Sequence, residues 1–464
     1  MMTNKHVMTL LCLLTTLCGA QAQKYLTYEE FGAVGDGRTD DLMALVATHK
    51  AANERGLPVK ANDNKTYFIG PGATPVVIQT SVDFGKARFI IDDVQTERYQ
   101  APVFRVESKL SPVKLEGVKT LKQEQRDLGI RLPQRSLVFA ENNKRCVYIR
   151  MGLNQNSGTP LKEVFLADAK GRVDKATPIT WDYDEVTSLI AYPIDKERLT
   201  LKGGIFTTIA NQAESAYNYR GRGFSINRSN VRIEGITHYV EGELDHGAPY
   251  SGFLTLDHCA DVVVTGCLLT GHKTYSTIGS AGKPVSMGSY DMQAAYCVNI
   301  LFEHGRQTND IDDRTYWGLF ASNFCKNLRM EDMVISRFDA HMGVANVSLR
   351  NCTFGHMGVQ AVGFGTLLMD NCEIHRNTML WLREDYGSSW DGEIILRNCT
   401  QVLKPGEKNA SVINGRNDGK HDFGYTCHLP RLVKVKNLRV TDQTGPMPKG
   451  KSWEVRDVKT LPVK

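Results

Sequence analysis

The chain has 464 residues, of which 41% are hydrophobic and 23% charged, a balance that allows a large buried core and excludes a disordered polymer. The formal net charge is only +5 and acids are interspersed with bases throughout, so composition gives no support to nucleic acid as a partner.

Residues 1–22 read as a targeting segment. Lys5 and His6 precede the apolar run MTLLCLLTTLC, which is too short to span a bilayer, and Ala20 and Ala22 supply the small residues of a cleavage site. Cleavage after Ala22 implies a periplasmic or secreted protein. Lipid anchoring through Cys18 is disfavoured because Leu17 stands where a small residue belongs. No other run is long and apolar enough to be a membrane span.

Residues 23–100 are expected to hold a helix that caps the fold, followed by its first coils. In LMALVATHKAANERG the residues Leu42, Leu45, Val46 and His49 share one helical face, and Gly56 closes the helix. TYFIG then reads as a strand. Residues 101–199 differ in kind: RSLVFAE, RCVYIRMG, KEVFLADAKGRV and TSLIAYPI are hairpin strands joined by polar turns, which predicts an inserted antiparallel β-rich subdomain. Its plainest role is a structural flap.

Within residues 200–442, read as the main solenoid, a phrase recurs from about Asn230 to Cys399 at intervals of about twenty: Asn, apolar, x, apolar, x, Asn, Cys, x, apolar. Such a period predicts a solenoid of parallel strands whose coils are stacked about 4.8 Å apart. Val347, Leu349, Cys352 and Phe354 alternate like a strand, and Asn351 at the break suits a left-handed residue. Asn351, Asn371 and Asn398 should stack into a ladder of amides. Nine of the eleven cysteines lie beyond the targeting segment, an odd number that cannot all pair within one chain, and their positions predict two columns of small buried side chains instead of disulfides. Residues 443–464 read as a C-terminal tail.

The stretch FGAVGDGRTDD, Phe31–Asp41, with its helix and strand, resembles the opening of right-handed parallel β-helix proteins of the pectate lyase and polygalacturonase type. The resemblance covers roughly residues 25–100 and 200–440. It implies an all-β right-handed parallel β-helix whose substrate lies along one outer sheet, with catalytic residues at that sheet's edge. The corresponding positions contain Tyr290 and Asp291; Asp312, Asp313, Arg314 and Tyr316; Arg337, Asp339 and His341; His356 and Gln360; and Arg376, Arg383, Glu384 and Asp385. Four polygalacturonase signatures are matched only in part: DDR at Asp312–Arg314, FDA at Phe338–Ala340 and GHMG at Gly355–Gly358 stand in three of the places, and no Arg-Ile-Lys is present.

These residue types point to a polysaccharide or oligosaccharide partner. Glycoside hydrolysis needs one carboxylic acid and a second carboxylate, and Asp312 or Asp313 one coil before Asp339 would stand about 5 Å away if stacked and about 7–8 Å if diagonal. Two carboxylates at that range raise one pKa by repulsion, as a general acid requires. Catalytic candidates are therefore Asp312, Asp313, Asp339, His341 and His356, which should meet in one trough. Binding candidates are Tyr290, Asp291, Arg314, Tyr316, Arg337, Gln360, Arg376, Arg383, Glu384 and Asp385. Tyr290, Tyr316, Trp317, Tyr386 and Trp390 would offer flat surfaces to sugar rings.

A glycoside hydrolase is the first expectation, with no cofactor. A uronate lyase is the second: the arginines would clamp the carboxylate, His341 would be the base, and the acids at Asp310, Asp312 and Asp313 would hold Ca²⁺ if a metal takes part. A non-catalytic carbohydrate-binding β-helix is the third. Met379, Leu380 and Trp381 read as core, and neither sugar identity nor oligomeric state is encoded legibly.

Overall fold

Alternation builds the walls of the solenoid. In Val298–Glu303 the residues Val298, Ile300 and Phe302 are buried while Asn299, Leu301 and Glu303 are half-buried, and the same period of two recurs in Val231–Glu234, Lys326–Glu331 and Trp390–Arg397. The computed structural model describes residues 24–96, 98–416 and 426–461; the targeting segment expected at 1–22 lies outside them. Among the described residues, 27 strands join one connected sheet, and every strand pair in it is parallel except the last.

Each coil crosses three faces. On the face that carries the candidate site, Leu254–Asp257 pairs with Met292–Ala295 and then with Phe320–Asn323, and the register continues through 337–340, 359–361 and 380–382. This face is called the groove sheet below.

The corners explain the repeated phrase. Asn351, Asn371, Asn398 and Asn437 all hold φ between 53° and 57°. Asn tolerates this left-handed backbone better than most residues. Asn371 donates to Asn351 at 3.0 Å and Asn437 to Asn398 at 3.1 Å, so the amide ladder has a fourth rung that the sequence reading left out. A second ladder runs Asn346 to Asn327 to Asn299 to Asp261. Seven of the nine cysteines among the described residues, Cys259, Cys267, Cys297, Cys325, Cys352, Cys372 and Cys399, are buried thiols of the coils. Sγ of Cys259 lies 3.5 Å from Sγ of Cys297, and Cys372 bonds the Leu349 carbonyl one coil away.

At the N-terminal end, the helix Leu42–Arg55 buries Leu42, Leu45, Thr48 and His49 against Tyr28 and the first strands. The acids of the motif before it tie the loop down: Asp41 accepts the Val34 and Gly35 amides, while Asp40 accepts those of Leu42 and Gly70.

Between residues 113 and 193, four strands form a separate antiparallel sheet: Val113–Lys114, Ser136–Tyr148, Thr159–Ala167 and Ser188–Pro193. Phe104–Glu107 is not part of it, since this strand pairs with Val76–Ile78 and Phe224–Asn227 in the groove sheet. The extra sheet docks through a buried ion pair, Glu163 to Lys326 at 2.6 Å. It also covers the stacked rings of His258, Tyr296 and Phe324, which occupy a corner at φ of 49°, 54° and 52°. Phe139 packs edge-on against the first two of these. Beyond the last coil, Lys451–Arg456 lies antiparallel on Leu432–Thr441, so the stretch expected as a tail contributes a strand.

Candidate active site

The strand Val334–Arg350 sets the site. Its period of two sends Phe338 and Ala340 into the core and turns Arg337, Asp339 and His341 outward. Asp339 is nevertheless 0% exposed, because Arg337 and Arg383 close over it. Arg337 Nη2 contacts Asp339 Oδ2, Arg383 Nη1 donates to the same oxygen at 3.0 Å, and Nε2 of His341 lies 3.2 Å from it. Register places Gln360 one coil further on, where its Oε1 accepts from Arg337 at 3.2 Å.

Burial opposes the charge on Asp339, but Arg337, His341 and Arg383 together outweigh it and hold the carboxyl well below the usual range. His341 goes the other way. Burial pulls it down to about 3, with Arg383 and Arg337 adding to the effect and Asp339 opposing it, so its ring is neutral. A carboxylate beside Nε2 favours the tautomer with its proton there, which leaves the lone pair on Nδ1. The Tyr290 hydroxyl lies 3.3 Å from the same Nε2.

These residues line a cleft of about 610 Å³ on the groove sheet. Its walls carry Tyr217, Tyr219, Tyr290, Trp317, Trp381 and Tyr386, with Arg150 entering from the extra sheet. Arg150 donates to Asp385 at 2.7 Å, and Asp385 also takes both ends of the Arg383 fork. Arg383 is thereby saturated by two carboxylates. Arg337 is not: its Nε and Nη1 are buried with no hydrogen-bond partner, and its guanidinium lies 4.4 Å over the Trp317 ring.

A second cleft of about 1080 Å³ adjoins the first, sharing Trp317, Met357 and Arg376 with it. Asp312, Arg314, Tyr316, His356 and His375 line it. Gly355 brings the 308–318 loop there: a side chain at that position would strike the Ile311 carbonyl, which instead accepts the His356 amide at 3.1 Å. His356 Nε2 donates to the Tyr316 carbonyl at 3.0 Å, and burial lowers its pKa.

The sequence-predicted residues are therefore divided. His341 lines the first cleft with Asp339 buried beneath it, Asp312 and His356 line the second, and Asp313 is an exposed loop residue that accepts the Thr315 amide. The expected carboxylate stack is absent because the register pairing Ser322 with Ala340 puts Ala321, not an acid, one coil before Asp339. Of the binding candidates, Tyr290, Arg337, Gln360, Arg376 and Arg383 line the first cleft, and Arg314, Tyr316 and again Arg376 line the second. Glu384 is exposed and lines neither.

Trp390, expected to be a sugar platform, is fully buried and donates to the Gly365 carbonyl. Trp381, expected to be core, is on the cleft wall because an outward register position falls on it, opposite Gln360. The acidic loop turns inward on itself: Asp310 accepts the Asp312 amide, and Asp312 pairs with His375 at 2.7 Å. No group of three or more His, Cys, Asp or Glu among the described residues is arranged to hold a metal ion.

Asp291 is buried behind the first cleft. Its carboxylate lies 2.8 Å from His238 Nδ1 and 3.1 Å from His272 Nε2, while Glu243 takes the other nitrogen of His272 at 3.1 Å. Burial opposes the charge on Asp291, but the two imidazoles hold its carboxyl well below the usual range. Burial likewise opposes the charge on His272, yet Asp291 and Glu243 push it up to about 10. Sequence reasoning missed His238, His272, Arg150 and His375. Arg150 stands just past the strand Ser136–Tyr148 of the insertion, and only the docking of that sheet reveals where it reaches.

No protein-family model matches the chain, and no curated protein matches it. Solved structures do. The tailspike gp61 of Pseudomonas phage phi297 covers 90% of this chain and 76% of its own at 11% identity, with a TM-score of 0.50. The tailspike gp54 of Acinetobacter baumannii bacteriophage AP22, solved with a capsular saccharide, covers 90% and 70% at 11% identity and a TM-score of 0.44. A hyperthermoactive exopolygalacturonase from Thermotoga maritima covers 93% and 94% at 10% identity and a TM-score of 0.37. At such identities the likeness concerns the fold: the chain is a right-handed parallel β-helix.

Proposed function

We propose that this chain is an exported carbohydrate-active enzyme that cleaves an acidic, uronate-containing polysaccharide by β-elimination in the Arg337–His341 cleft. The observation that carries this reading is the pairing of a neutral His341 with the two unpartnered, buried N–H groups of Arg337. Elimination across a uronate needs a base for the proton beside the carboxylate and a cation to neutralise that carboxylate. A hydrolase working through Asp339 would need an acid with a raised pKa and direct access to the sugar. Asp339 has neither, being buried under two arginines and held ionised. The order expected from the sequence, hydrolase before lyase, is therefore reversed here.

The atoms balance within the cleft. Nδ1 of His341 takes the proton from the carbon next to the carboxylate, Arg337 stabilises the resulting enolate, and the bond from the adjacent ring carbon to the glycosidic oxygen breaks. The Tyr290 hydroxyl protonates the departing oxygen, the imidazolium returns a proton from Nε2 to the phenolate 3.3 Å away, and proton exchange of the ring with water after product leaves restores the starting tautomer. An unsaturated uronide and a new hydroxyl end remain. A bound carboxylate also places a negative charge near His341 and raises its basicity just when substrate is present.

Incubation of the full chain with acidic and neutral glycans tests the reading. Ultraviolet absorbance of an unsaturated uronide supports elimination. New reducing ends without that absorbance would replace it with hydrolysis, and retention without cleavage would make the protein a binder. Export and a periplasmic or secreted location belong to the same proposal and are checked by the N-terminal residue of the mature protein.

A further inference from the structure

Two guanidinium groups in the clefts are mounted alike. Arg337 lies 4.4 Å over the ring of Trp317, and Arg376 lies 4.7 Å over the ring of Trp381. Stacking fixes the plane of each guanidinium and directs its N–H donors sideways; on Arg337, Nη2 is taken by Asp339 and Gln360 while Nε and Nη1 remain unpartnered. Arg376 gives one hydrogen bond to the protein, Nη1 to the Met357 carbonyl at 2.6 Å. Arg314 lines the second cleft beyond it.

Arg337 is paired with Asp339 through Nη2, but the outer two arginines of this row are not paired. Arg383 and Arg150 are neutralised by Asp339 and Asp385, but among the described residues neither Arg376 nor Arg314 has an ion-pair partner. Burial pushes Arg376 down to about 10, and repulsion from Arg337 and Arg314 adds to the shift. Arg376, part-buried between Arg337 and exposed Arg314, thus carries a charge that the protein does not pair and that an anionic ligand would compensate.

We propose that the substrate carries carboxylates on successive sugar units, read one after another by Arg337, Arg376 and Arg314 along a groove in which Trp317, Met357 and Arg376 form the neck between the two clefts. This rests on the acidic-polysaccharide reading above and narrows it to chains whose acidic units are contiguous. The second cleft is then a binding region for the part of the chain away from the bond that breaks, and Arg376 and Arg314 are specificity residues. The Trp381 ring supports Arg376 from the first cleft, so the neck grips a unit that is bound in both.

The experiment is calorimetric binding of galacturonate and mannuronate oligomers, from one unit to five, to the full chain carrying His341→Ala so that nothing is consumed. Carboxyl-reduced oligomers of the same lengths are the controls. Affinity should rise by about tenfold for each carboxylate that reaches a further arginine, the scale of one charge-assisted hydrogen bond. Arg314→Gln should remove the last step for long oligomers and leave the shortest ones unchanged, and Arg376→Lys should weaken all but the shortest. Thermal unfolding identifies variants that fold. Affinity independent of length, or equal binding of the carboxyl-reduced series, overturns the inference. Length-dependent binding with no unsaturated product from the unmutated chain would keep the inference and overturn the elimination reading alone.

Discussion

Two histidines in this molecule have nearly the same immediate neighbour and opposite fates. His272 and His341 are each within 3.2 Å of a buried aspartate, yet His272 is pushed up to about 10 and His341 is pulled down to about 3. The difference lies in what else the aspartate serves. Asp291 faces only imidazoles and the Thr270 amide, and Glu243 adds a second negative charge to His272. Asp339 is already committed to Arg337 and Arg383, so little of its charge is left to hold a proton on His341. One corner of the solenoid thus stores a fixed cation, whereas the open cleft keeps a neutral base beside a surplus of arginine. Distance to a carboxylate does not decide protonation; the sum of charges around the pair does.

The sharpest way to break this comparison is to delete each ring. His341→Ala should lower the elimination rate by about 10²–10⁴-fold with little change in melting temperature, as measured by uronide absorbance and thermal unfolding. Equal loss of activity in a folded His272→Gln variant would show that the buried corner, not the cleft, holds the base. Asp291→Ala comes next: it leaves cationic His272 without its main partner and should cost about 3–5 kcal/mol in denaturant unfolding.

A smaller effect separates the two rings by pH. His272, raised in the folded state, contributes stability that is complete below about pH 6.5 and is lost as pH climbs to about 10. His341, lowered in the folded state, contributes stability present above about pH 6.5 that is lost as pH falls toward about 3, and buried His49 acts in the same sense. Each titrating ring gives a slope of about 1.4 kcal/mol per pH unit within its window. His272→Gln should flatten the alkaline side of the stability curve and leave the acidic side as it was. The smallest effect belongs to the corner ladder, where Asn371→Ala should cost about 1–2 kcal/mol through its left-handed backbone and its lost bond to Asn351.

Much of the solenoid was legible because its determinants are local and periodic. The spacing of Asn351, Asn371 and Asn398, the columns of cysteine and the alternation around Val347 each report on a single coil that is then repeated. The placement of Arg337, Asp339 and His341 on one face came from the resemblance to β-helix proteins, and the alternation of the Val334–Arg350 strand accounts for it. What the sequence hid was register between coils whose loops differ in length. Asp312 and Asp313 are one coil before Asp339 in the sequence, but the 308–318 loop takes Asp312 to the neighbouring cleft and leaves Asp313 exposed. Contacts across long separations were equally opaque: Arg150 meets Asp385, and Glu163 meets Lys326, only after the extra sheet has docked. Nor could composition tell that Asp339 shares its charge with two guanidiniums, which is what disqualifies it as an acid.

The strand Lys451–Arg456 runs against the direction of every other strand in the large sheet. A wound ladder of parallel strands offers its open rim as a template, so that a second molecule carrying the same polarity could continue the winding end to end. Reversal at the rim presents donors and acceptors in the wrong order for such growth, and Lys451, Glu454 and Arg456 add charge to the rim. Truncation before residue 451 should therefore expose the rim and increase self-association over the full chain, a change visible by light scattering.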